Sequence, residues 1–263
     1  MQPKLLREKT AMSRRCVLRA LAAGSAVGLV QGCAYNEQLG RNQLLFVSSG
    51  QMAQLASSAW ADLKKQEKIT TDPKYVTRTR RVADKIIAAS GGVPAEWEVE
   101  VFASKELNAF ALPGNKIGFY TGILDIMEND DQIAVVMGHE KAHVDFNHAG
   151  ERYSQSTLAQ TGLSVAQIAV SGNQYSNEIA AVLGIGAQLG VMRYSRQHEL
   201  EADKFGLRYM HRAGYNMNEA IRFWEKMAAL KTGAPPEILS THPSDATRIA
   251  QLKREIALLN QGA

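Results

Sequence analysis

Cysteine is nearly absent from this chain of 263 residues, and its two examples, Cys16 and Cys33, both stand close to the start. If Cys16 leaves with a leader and Cys33 is modified, the folded protein has neither a disulfide nor a thiolate metal site. Any metal must then be held by histidine and carboxylate. Long apolar runs are missing as well: no stretch reaches eighteen residues, which argues against a spanning helix. An excess of positive charge is missing outside the first 32 residues. That segment holds Lys4, Arg7, Lys9, Arg14, Arg15 and Arg19 against the single acid Glu8, a net of +5. Taking +5 from the chain total of +4 leaves −1 for everything that follows. The basic balance therefore belongs to the leader, and a nucleic-acid partner inferred from overall charge is excluded. No internal repeat is visible.

The start of the chain is built like an export signal. "MQPKLLREKTAMSRR" is basic, "ALAAGSAVGLV" is short and apolar, and "QGC" follows. Residues 1–32 are expected to be removed. "SRRCVLR" resembles a twin-arginine signal with Arg14 and Arg15 as the pair. "VQGC" resembles a bacterial lipobox, in which Cys33 takes the lipid and becomes the new N-terminus. Ala34 after it implies, by the same resemblance, sorting to the outer membrane of a Gram-negative cell. The alternative is ordinary cleavage near Gly32 and a soluble exported product.

Beyond the leader, residues 33–72 read as a tether and an N-terminal helix, and 73–263 as the main domain. Residues 51–68 have helical spacing in Met52, Leu55, Ala59 and Leu63. Asp72 and Pro73 form a cap and first turn for a second helix, which Gly91 and Gly92 end. "EWEVEVFAS" alternates like a strand, with Trp97, Val99 and Val101 on one face. "LNAFAL" and "KIGFYTG" are two more strands, joined by the turn signal "PGN". From Thr121 onward the pattern is helical, with breaks near Gly150, Gly172, Gly214 and Pro235-Pro236. Strands followed by helices predict an α+β fold, mostly helical with a small antiparallel or mixed sheet.

Residues 135–148 read "VVMGHEKAHVDFNH". His139 and His143 are four apart, so a helix puts both imidazoles on one face, within reach of one ion. Imidazole suits Zn²⁺, and a catalytic zinc takes three protein ligands and a water. Glu140 lies roughly 100° further round, too far for easy ligation but placed to take a proton from that water. Lys141 is expected to face solvent. His148 falls about 140° off the ligand face of a continued helix, which makes it a non-ligand and at most a hydrogen-bonding neighbour of one. Downstream, "RYSRQHELEADKFG" carries Glu199 and Asp203 on one helical face and Glu201 on another. One carboxylate could complete a His-His-Glu site and the other could accept the free N–H of a ligand histidine. His198 and His211 have no support as ligands.

"GHEKAH" followed by "SRQHELEAD" resembles the M48 family of zinc metallopeptidases, with His-Glu-x-x-His and then Glu-x-x-Ala-Asp. "NAFALPGNKIGFYTGIL" and "LSTHPSDATRIAQL" are similar too, and the resemblance covers roughly residues 73 to 260. With its leader, the chain is similar to the bacterial envelope lipoprotein branch, which includes LoiP-like and Oma1-like peptidases. The resemblance implies a gluzincin-like core, one Zn²⁺ held by His139, His143 and Glu199, Glu140 as general base, and Asp203 behind His139. It also implies that Asn108, Ala109, Phe110 and Ala111 lie on an edge strand that a substrate peptide joins by main-chain pairing. Phe110 has an alternative reading as pure core. His242, ahead of Pro243, either holds the oxyanion of the transition state, blocks the open site in a latent form, or is a packing residue at a helix start. Arg248 is a candidate partner for a nearby carboxylate.

The expected function is zinc-dependent endoproteolysis of misfolded envelope proteins, on the periplasmic side and anchored to the membrane through the N-terminal lipid. The alternative is a peptide-binding or chaperone-like lipoprotein with latent proteolysis. A helical interaction domain without metal is a third reading, which metal content separates from the other two.

Overall fold

The computed structural model describes residues 33–158, 194–230, 236–242 and 246–262. The expected leader, the breaks near Gly172 and Pro235, and Pro243 lie outside the described residues. The chain divides into two compact units, residues 1–47 with 150–177, and residues 48–149 with 178–263.

In the first unit, polar residues of the N-terminal segment pair as an antiparallel hairpin. Strand β1 (Cys33–Asn36) lies against β2 (Arg41–Leu44). The Arg41 guanidinium donates to both carboxylate oxygens of Glu151 at 2.8 and 2.9 Å, and Gln43 Nε2 adds a third bond at 3.0 Å. Glu151 stands on helical residues 150–158, so the hairpin is held to that helix largely by polar bonds.

The second unit begins with helix α1 (Ser49–Gln66), started by a reciprocal capping box between Ser48 and Gln51. Its buried stripe is Met52, Ala56 and Trp60. Of the residues that the spacing singles out, Met52 is in this stripe, and Leu55, Ala59 and Leu63 are half-buried beside it. Helix α2 (Pro73–Ala89) starts as expected, with the Asp72 carboxylate accepting from Lys74 N–H and Pro73 in the first turn. It buries Val82, Ala83, Ile86 and Ile87.

After a short 3₁₀ turn (Pro94–Glu96) come β3 (Glu98–Phe102), β4 (Ala109–Leu112) and β5 (Lys116–Tyr120). They form a mixed sheet in the order β3-β5-β4, with β3 parallel and β4 antiparallel to β5. The turn between β4 and β5 places Gly114 and Asn115 at φ of 82° and 62°, a conformation those two residue types reach most cheaply. One face of the sheet carries Phe102, Phe110 and Tyr120, which pack with Trp60 of α1. The Phe110 ring is half-buried and packs against this cluster.

Helices then dominate, as an α+β fold requires: α3 (Thr121–Ile126), α4 (Asp130–Asp145), α5 (Arg196–Arg212), α6 (Asn218–Ala229), α7 (Glu237–Thr241) and α8 (Ala246–Gln261). Among the described residues no helix is long and apolar enough to cross a membrane. The break expected near Gly150 falls earlier, at Phe146 and Asn147, and residues 148–158 are helical.

Candidate metal centre

Helix α4 is the inner wall of the second unit. Asn129 caps it by accepting from Gln132 N–H at 2.9 Å, and Asp130 and Asp131 complement the dipole of its first turn. Every residue from Gln132 to His143 is buried. A helix buried all round has no solvent side, and that corrects the expectation for Lys141. The ammonium lies over the Trp97 ring, 4.7 Å from its centroid, and pairs with Asp145, whose other oxygen accepts from Tyr209 Oη at 2.9 Å.

Helix α5 crosses α4 where two glycines meet. A Cβ on Gly138 would lie 3.0 Å from the Gly206 carbonyl oxygen, and one on Gly206 would lie 3.0 Å from the Gly138 carbonyl carbon. The backbones approach this closely only because both positions lack side chains. Gly138 directly precedes His139, and Gly206 follows Asp203 by less than one turn. The close approach therefore carries the acids of α5 onto the histidines of α4. A glycine inside a helical pattern was the available sequence signal for this contact.

Four donor groups converge there: His139, His143, Glu199 and His242, all buried, with their candidate ligand atoms within 4.8 Å of one another. His139 Nε2 is 3.0 Å from His143 Nε2 and 3.2 Å from His242 Nδ1. Glu199 Oε2 lies 3.5 Å from His139 Nε2, while Oε1 lies 3.5 Å from His143 Nε2 and 3.0 Å from His242 Nδ1. Donors bound to a tetrahedral ion at about 2.0–2.1 Å would be about 3.3–3.4 Å apart. The observed spacings match that figure, and lone pairs brought so near need a cation or protons between them. The residues fit a metal.

The electrostatics agree. Burial holds the His143 ring well below its ordinary pKa, so it is neutral and able to ligate. Burial also opposes charge on His139, but Glu199 and Asp203 outweigh it and raise that ring to about 9. A cation at Nε2 takes the place of the extra proton. For Glu199, burial is overcome by His242, Arg248 and His139, and its carboxyl stays well below the usual range.

Around the donors lies a ring of supporting groups. Asp203 Oδ1 accepts from His139 Nδ1 at 2.9 Å. Arg248, on α8, spans two acids: Nη1 is 2.9 Å from Glu199, and Nε and Nη2 are 2.7 and 2.6 Å from Asp203. Its guanidinium also lies over Trp224, 4.1 Å from the ring centroid. These partners hold the Asp203 carboxyl low despite burial, which acts the other way. His143 Nδ1 meets His148 Nδ1 at 2.9 Å, and His148 Nε2 meets Glu201 Oε2 at 3.1 Å. This is the neighbour role left open to His148 by the sequence, reached by a different backbone path, because α4 stops at Asp145. Asn147 then takes φ of 49°, and the reversed backbone returns His148 to the site. His198 stacks on His148 with centroids 4.6 Å apart.

Glu140 faces the same centre. Its Oε2 accepts from Ala111 N–H of β4 at 3.0 Å, while buried Oε1 has no hydrogen-bond partner. Burial raises its pKa, against the pull of His242 and His139. Oε1 is 3.4 Å from His242 Nε2. His242 caps the C-terminus of α7, which is tied to the loop before β4 by a bond from Ile238 N–H to the Leu107 carbonyl at 3.3 Å. Strand β4 is an edge of the sheet, and the Ala111 N–H points away from β5. Ala109 and Ala111 are on that edge, Phe110 turns its ring to the opposite face, and Asn108 precedes the strand. A cavity of about 500 Å³ opens beside His143 and Ala111, lined also by Pro113, Gly114 and Tyr194.

Comparison with known proteins agrees with this geometry. The family model described as peptidase family M48 matches residues 73–256. The chain is 31% identical over 255 residues to the mitochondrial metalloendopeptidase OMA1 of Schizosaccharomyces pombe, covering 91% of this chain and 74% of that protein. It is 34% identical over 176 residues to the mitochondrial metalloendopeptidase OMA1 of Saccharomyces cerevisiae, covering 63% of this chain and 49% of the relative. To the beta-barrel assembly-enhancing protease of Escherichia coli it is 26% identical over 216 residues, covering 79% of this chain and 44% of the relative. The chain thus spans about half or less of the length of the last two. A buried His-His-Glu-His cluster, a carboxylate beside it and a family match across most of the chain lead to one conclusion: the chain belongs to peptidase family M48 and is a metalloprotease.

Proposed function

We propose that the protein is a zinc-dependent endopeptidase of the bacterial envelope that cleaves misfolded proteins. The observation that carries this reading is the convergence of His139, His143 and Glu199 beside a carboxylate whose buried Oε1 makes no hydrogen bond. Zinc, when bound, supplies a Lewis acid and a water of pKa about 7. His139, His143 and Glu199 would hold it, and Asp203 fixes the His139 ring so that Nε2 faces the ion. Glu140 keeps Oε2 on Ala111 N–H and uses Oε1 to take the proton of the attacking water, then returns it to the leaving amine. The edge of β4, at Asn108, Ala109, Phe110 and Ala111, pairs with the substrate main chain. The domain reading follows: 1–32 as leader, 33–72 as tether and N-terminal helix, 73–263 as the catalytic part. Cys33 carries the lipid that anchors the protein to the outer membrane, on its periplasmic side.

The test is metal analysis of the purified protein beside casein digestion with and without chelator. One equivalent of zinc and chelator-sensitive cleavage are expected; metal-free protein, or cleavage indifferent to chelator, defeats the proposal. A second reading is favoured by His242, whose Nδ1 takes the fourth corner of the cluster. In that position the ring occupies the place of water, and the protein is a latent, peptide-binding form. His242→Ala is then expected to raise casein cleavage, whereas a fall assigns His242 to the transition state.

A further inference from the structure

We infer that His148 and Glu201 are positioning residues for the metal centre, setting the tautomer and the plane of His143. This rests on the reading of His143 as a ligand. For Nε2 of His143 to offer a lone pair, its neutral ring must carry its proton on Nδ1. That N–H points at His148 Nδ1, 2.9 Å away, which must therefore be the acceptor. The single proton of neutral His148 is then on Nε2, and it is donated to Glu201 Oε2 at 3.1 Å. The far end of the chain accords with this order, because a carboxylate only accepts. Each of the two bonds holds one proton, and every proton is directed away from the ion. Reversing either ring would put N–H against N–H or aim a proton at the metal.

Stacking fixes the planes that the hydrogen bonds leave loose. The Tyr194 ring lies 3.8 Å from the His143 ring at 25°, and His198 lies on His148 at 19°. His148 is fully buried, while the Glu201 side chain retains 14% exposure and accepts from Gln197 Nε2 at 3.1 Å. The two ligand histidines thus have different supports. His139 rests directly on a carboxylate that Arg248 neutralises. His143 reaches its carboxylate through a second imidazole.

Supports of this kind commonly contribute about 10- to 100-fold to metal affinity. The experiment is zinc competition against a chromogenic chelator, with thermal unfolding of the chelated and zinc-loaded proteins alongside, on the full-length chain and its variants. Glu201→Ala is the main variant because its site touches solvent, and His148→Ala is the second. Both are expected to bind zinc about 10- to 100-fold more weakly, and the chelated Glu201→Ala protein to lose less stability than its zinc-loaded form, since the buried His148 N–H loses its acceptor in both. Glu201→Gln keeps an acceptor oxygen, and its zinc affinity is expected between those of the unaltered chain and Glu201→Ala. The inference is overturned if both alanine variants bind zinc as tightly as the unaltered chain. It is also overturned if the chelated Glu201→Ala protein loses stability in step with its zinc affinity, since that marks a structural residue. An unaltered chain that binds no zinc removes this inference and the proposed function together, whereas tight binding by all variants removes this inference alone.

Discussion

Glu140 is buried with one oxygen satisfied by Ala111 N–H and the other facing the histidines. Glu140→Gln preserves the size and the accepting oxygen but removes the base. Peptide cleavage is expected to fall about 10²- to 10⁴-fold with metal content unchanged, as measured by casein digestion and metal analysis on one preparation. Arg248 poses a different question, because its charge is shared by Glu199 and Asp203 within a shell of 1% exposure. Arg248→Leu leaves two buried carboxylates short of a partner. A loss of about 3–5 kcal/mol in denaturant unfolding is expected, and Arg248→Lys should recover little, since an ammonium cannot bond both acids in parallel. Of these groups, the His139–His143 pair was legible from spacing alone. Lys141 was not, because the rule that a charged side chain seeks water assumes a helix with a wet side. For His148 the role of neighbour to a ligand was legible but its path to His143 was not: a left-handed Asn147 ends the periodicity on which the extrapolation relied.

The crossing of α4 and α5 depends on two glycines whose missing side chains let backbone touch backbone. Gly206→Ala inserts a methyl 3.0 Å from Gly138 and His139 main-chain atoms. Overpacking of this kind costs about 1–3 kcal/mol, and here it also moves Glu199 and Asp203 off the histidines. Thermal unfolding and zinc affinity are expected to fall together in this variant. Helix α1 shows how an apolar count can place a helix and still leave out Trp60, the largest side chain of its buried face. Trp60 donates its indole N–H to Glu98 Oε2 at 2.7 Å, with Lys64 at 3.1 Å on the same oxygen. That indole bond, with Lys64 and Lys116 assisting against burial, holds the Glu98 carboxyl below its ordinary 4.5. A lowered folded-state value contributes stability above about pH 4.5 that disappears as pH falls through the lower value. Glu98→Gln should therefore lower the unfolding temperature at pH 7 and flatten its dependence on pH below about 5, so that the two proteins converge in acid. An unaltered slope would show that the indole bond is absent in solution.

As a metalloprotease the molecule acts on proteins or peptides. A metal that binds the folded chain alone stabilises it by mass action, by about 2.7 kcal/mol at a hundredfold excess over Kd. Chelation is expected to lower the unfolding temperature, and added zinc to restore it in proportion to the logarithm of its concentration. The α+β class, the order of strands before helices, the Asp72-Pro73 helix start and the turn at Gly114 and Asn115 were all readable along the chain. Each is set by torsions and contacts among near neighbours, and those are written in consecutive residues. The pairing of particular acids with particular rings was not readable in this way. Glu199, Glu201 and Asp203 occupy one short helix, yet they meet three different partners: the donor cluster, His148 and His139. Helical spacing ranks them by face but cannot say which face meets α4, or at what height. That choice falls to the Gly138–Gly206 contact and to Arg248 from the last helix, groups distant in sequence that become neighbours only once the core has closed.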